Sequence, residues 1–506
     1  ADVTAPATPT GLVATALNGG VQIVWDANTE SDLASYKVYK GTSASPTTLL
    51  ITLSSQNPTN ATWRGLTNGT KYYYRISAVD NAGNESDKTS DVTAVPTPQK
   101  YTVKTDGTED FPTIQAAIDA ATNGDTVYVS AGVYQEQLNI VSKSISLIGE
   151  DSSNTIIEWT NGGVLTLENG LNSYEPLIKN LTIKGGASDT CGGICIGDFG
   201  SPVLEKVRIV NNTTFANEDG SNDKFGIGTG AGINIYNSTP TIKNSYIGNN
   251  TSVNGGGIKV SSSTVTIDNC IITNNTITGE GAGILGRANS TIIVTNSIIS
   301  NNLANGNGAG VYMDRGTLIM SNVLMYGNET LGDGGAIRLQ AANATFTNLT
   351  VTENESSVTK QGGAIQLYQG ANATIVNSIF WNNKPQEIHF SPIYETNSVT
   401  SSFSIIEGSK EQIVSNSNGE INWGEGNINT NPIFTDIDLN DYRLSDSSPA
   451  IGAGNLTVAP ETDIVGTTRP YPAGSNPDMG AYEDSLGTPL VDTTAPTVTL
   501  SPANGA

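Results

Sequence analysis

One histidine and three cysteines in 506 residues leave little material for several common chemistries. A Ser-His-Asp triad or a His-rich zinc site would have only His389 to draw on, and it lies beyond the last regular copy of the repeat described below. Any general base must then be a carboxylate, Lys, Arg or Tyr. Three cysteines make no disulfide framework. Cys191 and Cys195 are four residues apart, roughly 13 Å along an extended strand. That is too far for a bridge unless the chain turns. Cys270 reads as a small packed residue. Basic residues are also scarce: 24 Lys and Arg stand against 48 Asp and Glu, a net charge of −24. Such a surface argues against a nucleic-acid partner. No apolar run reaches the ~18 residues of a membrane span. Low Lys with abundant Asn, Thr, Ser and Gly predicts an extracellular or cell-surface protein.

Repetition is what the chain does have. Between Gly230 and about Lys384 one pattern occurs six times, as in GGGIKVSSSTVTIDNCIITNN and GGAIQLYQGANATIVNSIFWNN. The leading apolar residues are Ile233, Ile258, Ile284, Val311, Ile337 and Ile365, spaced 25 to 28 apart. A period near 26 with period-2 apolar alternation inside it predicts a stacked β-solenoid with three strands per rung. Two Asn columns recur. Asn244, Asn269, Asn296, Asn322, Asn348 and Asn377 fall at the turn between the second and third strands. Asn212, Asn250, Asn275, Asn302, Asn328, Asn354 and Asn383 follow the third. Stacked at ~4.8 Å, such amides can hydrogen-bond up a column and satisfy turn backbone. That accounts for the Asn-x-Ser/Thr triplets without glycosylation.

Around the repeat the chain divides further. Residues 1–95 carry strand-like runs (Val21–Trp25, Tyr36–Lys40, Lys71–Val79), an early Trp25, and Leu66-x3-Thr70-x-Tyr72-x-Tyr74. On these residues the segment resembles a fibronectin type III domain, which implies a β-sandwich spacer or binding accessory. A helix is expected near 112–121, because Ile114, Ala117, Ile118 and Ala121 share one face and Pro112 suits a first turn. Placed before the solenoid, it would cap the first rung. The repeat and its Asn columns make residues 101–485 resemble the pectin-lyase-like right-handed parallel β-helix. The motifs Asn431-Pro-Ile-Phe, Asp441-Tyr-Arg-Leu, Ser448-Pro-Ala-Ile-Gly-Ala-Gly454 and Asp478-Met-Gly-Ala-Tyr-Glu483 resemble the C-terminal region called choice-of-anchor Q. The fold class expected is all-β: sandwich, then β-helix with a short capping helix. Asp2-Val-Thr-Ala-Pro6 recurs as Asp492-Thr-Thr-Ala-Pro496. Residues 486–506 are therefore expected to be a linker and the start of another immunoglobulin-like module, with further modules in a longer polypeptide.

Letters that stacking does not require are the candidates for function. If each leading Ile points inward, the next residue and the one two further on point out. One outward column is Asn234, Lys259, Leu285, Tyr312, Arg338 and Gln366. The other is Tyr236, Ser261, Arg287, Asp314, Gln340 and Tyr368. Residues 230–390 carry a net charge of only −1, so these rungs are nearly neutral in an acidic molecule. In the resembled fold this face usually binds polysaccharide. A uronate lyase would need Arg287 or Arg338 to neutralise the sugar carboxylate, Lys259 as base and Tyr312 as proton donor. A hydrolase would need two carboxylates from Asp314, Glu280 and Asp333. Tyr236, Glu280, Asp333, Gln366 and Tyr368 would contact substrate in either case. A third reading is a non-catalytic adhesin or surface-layer component. Calcium is the one cofactor with sequence support, from Asp219-x-Ser221-x-Asp223 and Asp436-x-Asp438-x-Asn440.

Overall fold

The computed structural model describes residues 2–54, 59–168, 175–198, 200–215, 230–357, 361–392, 395–417 and 419–490. The motif at Asp219-x-Ser221-x-Asp223 and the segment from Asp492 onward lie outside these. The N-terminal unit is a two-sheet sandwich. Val13–Leu17, Gly20–Val24 and Asn60–Arg64 form one sheet, and Leu33–Gly41, Leu49–Ser54, Tyr72–Asp80 and Val92–Ala94 the other. Inward alternation buries Val21, Ile23, Trp25, Tyr36, Val38, Tyr74 and Ile76 between them. The Tyr72 hydroxyl accepts the Thr67 backbone N–H at 3.2 Å, a tyrosine-corner contact.

Beyond it the chain winds into a parallel β-solenoid of about 11 turns. The helix Ile114–Ala120 closes its first turn, burying Ile114, Ala117 and Ile118. Within each rung, first, second and third strands stack in register on their counterparts. The leading residues run Leu138, Leu165, Ile194, Ile233, Ile258, Ile284, Val311, Ile337, Ile365 and Ile388. All ten are fully buried and fill one continuous core. Rungs also carry a fourth strand that the pattern did not suggest. Seven two-residue pieces, from Ala187–Ser188 to Glu355–Ser356, make a separate parallel sheet after the second Asn column.

Both Asn columns do what stacking demands. Every Asn of the first column has φ between 49° and 53°, the left-handed geometry Asn tolerates best among residues with a Cβ. In the second column each Oδ1 from Asn250 to Asn383 accepts both the backbone N–H and the side-chain amide of the Asn one rung earlier, at 2.8–3.2 Å, and that of Asn212 accepts the Gly186 backbone N–H. Asn383 has no Asn above it. There the Glu387 carboxyl takes over, accepting from the Asn383 backbone at 2.9 Å and its amide at 2.7 Å.

After the solenoid the chain folds back along it. Residues 431–487 cover outward positions of the third-strand sheet, packing Leu444, Ala450, Ile451 and Met479 on Ile379 and Ile405. Tyr442, Ile464 and Ala481 cover Leu324 in the same way. Asn322, Asn348 and Asn377 donate to the Thr462, Gly480 and Asn455 carbonyls, so the first Asn column also anchors this tail. The motif around Asp478 is a buried polar knot. Arg469 pairs with Glu483 at 3.3 Å, both fully buried, and donates to the carbonyls of Asp478, Gly480 and Ala481. Asp478 accepts from the Gly452 and Asp484 backbones.

Candidate functional site: the first-strand ridge

Glycine decides what the first-strand face exposes. A Cβ at Gly255, Gly281, Gly308, Gly334 or Gly362 would lie 2.7–2.9 Å from the Cβ of Lys259, Leu285, Tyr312, Arg338 or Gln366, respectively. These five glycines also have φ of 64–75°. The loop opening each copy therefore folds down onto the first outward side chain. Lys259 and Leu285 are fully buried, and Gln366, Tyr312 and Arg338 are 2%, 3% and 7% exposed. The expectation that this whole column faces solvent is corrected: outward from the sheet is not outward from the molecule.

The same lid explains the cysteines. Cys191 occupies the glycine position, bridged to Gly230 of the next rung, and Cys195 occupies the outward position paired with Asn234. They form a disulfide with Cα atoms 5.8 Å apart. The chain turns through Gly192 and Gly193, so the extended-strand distance does not apply. The signal in the sequence was the alignment of Cys-Gly-Gly-Ile-Cys with Gly-Ala-Gly-Ile-Asn.

Over the four rungs led by Ile284, Val311, Ile337 and Ile365, lid loops and strands join in one polar network. Arg287 pairs with Glu280 at 2.9 Å. Asn307 donates to Glu280 at 3.2 Å and accepts from Arg338 at 2.9 Å. Arg338 also pairs with Asp333 at 3.0 Å. Its guanidinium lies 5.8 Å from the Tyr312 ring centre and 5.0 Å from that of Tyr368. The Tyr312 hydroxyl donates to Gln340, which donates on to Gln369 at 2.8 Å. Burial, ahead of the Glu280 charge, pushes the Tyr312 hydroxyl far above its ordinary pKa. Asp314 pairs with Arg315 at 2.9 Å, not with Arg287 as a vertical ladder would have it.

Seven of the ten candidates thus meet here: Glu280, Arg287, Tyr312, Asp314, Asp333, Arg338 and Tyr368. Tyr236 is half-buried two rungs before Arg287. Lys259 is enclosed one rung before it, and Gln366 is covered one rung after Arg338. Sequence reasoning missed Asn307, placed Gln340 in an outward column without a role, and gave His389 no part in this face. His389 stacks directly on Gln366 in the covered column. Its Nε2 lies 2.8 Å from the Asn416 amide nitrogen, and burial pulls its pKa down to about 4. Buried Arg287 Nε, Arg338 Nε, Gln366 Oε1 and His389 Nδ1 have no hydrogen-bond partner among the described residues. Such atoms cost about 1–3 kcal/mol each unless water or a ligand meets them.

Carboxylates that could hold a cation lie elsewhere. Oxygens of Asp2, Asp32 and Asp80, in the sandwich unit, are within 4.8 Å of one another, the donor type a hard divalent ion takes. In Asp436-x-Asp438-x-Asn440, Asp436 caps a 3-10 turn by accepting the Leu439 N–H, and Asn440 ends that turn in the left-handed region.

Residues 231–436 match the model of a right handed beta helix region. Residues 7–95 match the fibronectin type III domain. The chain is thus a fibronectin type III domain followed by a right-handed β-helix. Curated relatives match through the fibronectin segment alone. An amylopullulanase of Thermoanaerobacterium saccharolyticum is 40% identical over 98 residues, 19% of this chain and 7% of that protein. Exoglucanase B of Cellulomonas fimi is 38% identical over 89 residues, 17% of this chain and 7% of that protein. The chain therefore spans less than a tenth of either relative. Among solved structures, an Fn3-like protein from Clostridium thermocellum is 35% identical. It covers 18% of this chain and 92% of its own, with a TM-score of 0.16. No helix among the described residues is long and apolar enough to cross a membrane.

Proposed function

We propose that this chain is an extracellular polysaccharide-binding protein whose first-strand ridge holds an acidic glycan, uronic or sulfated. The observation that carries the reading is the Arg–acid–Tyr network spanning four rungs, roughly 14 Å at ~4.8 Å per rung. That matches about three sugar residues. Tyr236, Arg287 and Tyr368 keep part of their surface open, offering flat apolar area and a guanidinium fork to a sugar carboxylate or sulfate. The disulfide supports an oxidising compartment, and glycosidase relatives carrying a similar fibronectin segment support a polysaccharide setting.

Binding fits the residues better than elimination does. Lys259 is enclosed and cannot reach a carbon-bound proton, and a Tyr312 hydroxyl with a raised pKa is a reluctant donor. A hydrolytic reading rests on Glu280 and Asp333, two rungs or about 10 Å apart, near the upper limit for an inverting pair. Both carboxylates are engaged by arginine, which fixes them in place. The test is affinity electrophoresis against a panel of acidic polysaccharides, run beside assays for unsaturated uronate and new reducing ends. Retardation without products is expected. Tyr368→Ala and Arg287→Ala should each weaken retention about 10-fold while leaving the melting temperature within a degree or two. Equal retention in both variants would remove the ridge as the site, and products would replace binding with catalysis.

A further inference from the structure

A second site lies on another side of the solenoid, where the tail passes over the third-strand sheet. Tyr326, Thr352 and Trp381 stack in register as outward residues at the ends of three successive third strands. Thr352 is the small member, so a notch opens beside Trp381, while Tyr326 packs on Tyr442 of the tail. Residues 431–437 of the tail roof this notch without filling it and leave a cavity of about 490 Å³. Glu353, Trp381, Asn382, Asn431, Ile433 and Asp436 are among its lining. The volume lies within the ordinary range of small-ligand pockets.

Three observations say what would enter. Trp381 is only partly buried against the tail's apolar cluster, so part of the ring faces the cavity. The tail rim exposes large aliphatic side chains, Ile433 at 40% and Ile437 at 46%. Ile433 is held at φ 51°, a backbone region that costs a β-branched residue about 1–2 kcal/mol. The polar lining is carboxylate, amide and the hydroxyls of Thr352 and Thr435, with no cation among it; one Glu353 oxygen accepts from the Tyr442 hydroxyl. Flat apolar surface ringed by carboxylate and amide acceptors suits a sugar ring, whose C–H face stacks and whose hydroxyls donate. Two carboxylates with no neutralising base repel uronate and sulfate, the opposite of the ridge.

We infer that the Trp381 notch is a second carbohydrate site, selective for a neutral hexose oligosaccharide. Its residues and its charge preference are independent of the ridge, so either site can fail alone. The probes are cellohexaose and maltohexaose, with a hexamer of galacturonate as the acidic control. Binding to the full chain is followed by tryptophan fluorescence and titration calorimetry. A neutral hexamer should bind in the micromolar to millimolar range, and the galacturonate hexamer should not compete for the notch. Trp381→Ala should weaken neutral binding at least 10-fold. Because Trp381 also packs on the tail, Asp436→Asn provides a second reading: it retains a capping side chain, removes the charge, and should weaken binding about threefold. Arg287→Ala should leave the neutral ligand unaffected. Absence of binding by both neutral hexamers up to 10 mM would overturn the inference. So would neutral binding that is unchanged in both Trp381→Ala and Asp436→Asn, or lost in Arg287→Ala.

Discussion

Lys259 shows how far one buried position can move a prediction. On the sheet it points outward, and as a ridge base its loss would weaken glycan binding at constant stability. Under the Gly255 lid it is among the largest fully enclosed side chains in the molecule. Lys259→Ala is therefore expected to lower unfolding stability by roughly 2 kcal/mol or more, as large-to-small changes at buried sites do, with ridge affinity little changed. Chemical denaturation beside the glycan panel separates the two effects, and intact stability would reopen the ridge role. Ile433 should respond in the other direction. Ile433→Gly removes the strain of a left-handed β-branched residue, and the tail should gain up to about 1 kcal/mol despite glycine's entropy cost.

At the scale of the element, the Asn column is a chain of double hydrogen bonds, so losing one member strands its neighbours. Asn302→Ala should leave the Asn275 backbone N–H and amide without their acceptor, costing about 2–4 kcal/mol. Hydrogen exchange should rise first in the rungs on either side. The tail knot gives a pH signature. Burial first, and the Glu483 charge next, raise Asp478 from 3.8 to about 7, with Arg469 opposing. The folded tail thus keeps a proton that the unfolded chain has released. Its contribution to stability is full below about pH 4 and declines as pH rises towards 7. Exchange in residues 445–487, corrected for intrinsic rate, should be slower at pH 5 than at pH 8. Asp478→Asn should flatten that difference.

The elements divide cleanly into what periodicity could show and what it could not. Ile233 to Ile365, both Asn columns and the helix at Ile114 were legible because one stacking rule repeats and each copy checks the next. Burial of Lys259 was not legible, because alternation reports the side of a sheet and not what lies over it. Glycine at Gly255 and Gly281 carried that information as a missing Cβ. The partners of Asn307 and Gln340 were hidden for another reason. Loop and strand residues of different rungs meet only after stacking, and no single copy contains the pair. The fold-back of residues 431–487 is non-periodic, so nothing in the repeat announced it.

For the whole molecule, the tail and the disulfide act as unequal clamps. Deleting residues 431–490 would uncover Leu324, Ile379 and Ile405 along one side of the solenoid. The shortened chain should bind an apolar dye and self-associate, which light scattering would show. Reducing Cys191–Cys195 frees only one lid, and should loosen that rung without melting those after Ile258.

Glu387 has a consequence for how such a chain can grow. An amide both gives and receives, so each Asn hands the column on to the next; burial keeps the Glu387 carboxyl protonated, its one proton is engaged with Glu407, and the handing-on ends with it. A duplicated unit spliced in below Asn383 would meet amides on both sides and be taken up as one more turn. The same unit placed after Glu387 would find beneath it a single O–H already engaged with Glu407 in place of an amide's two N–H donors. Lengthening by gene duplication is thus open across the middle of this protein and closed at its upper limit, and that limit is set by the chemistry of one side chain.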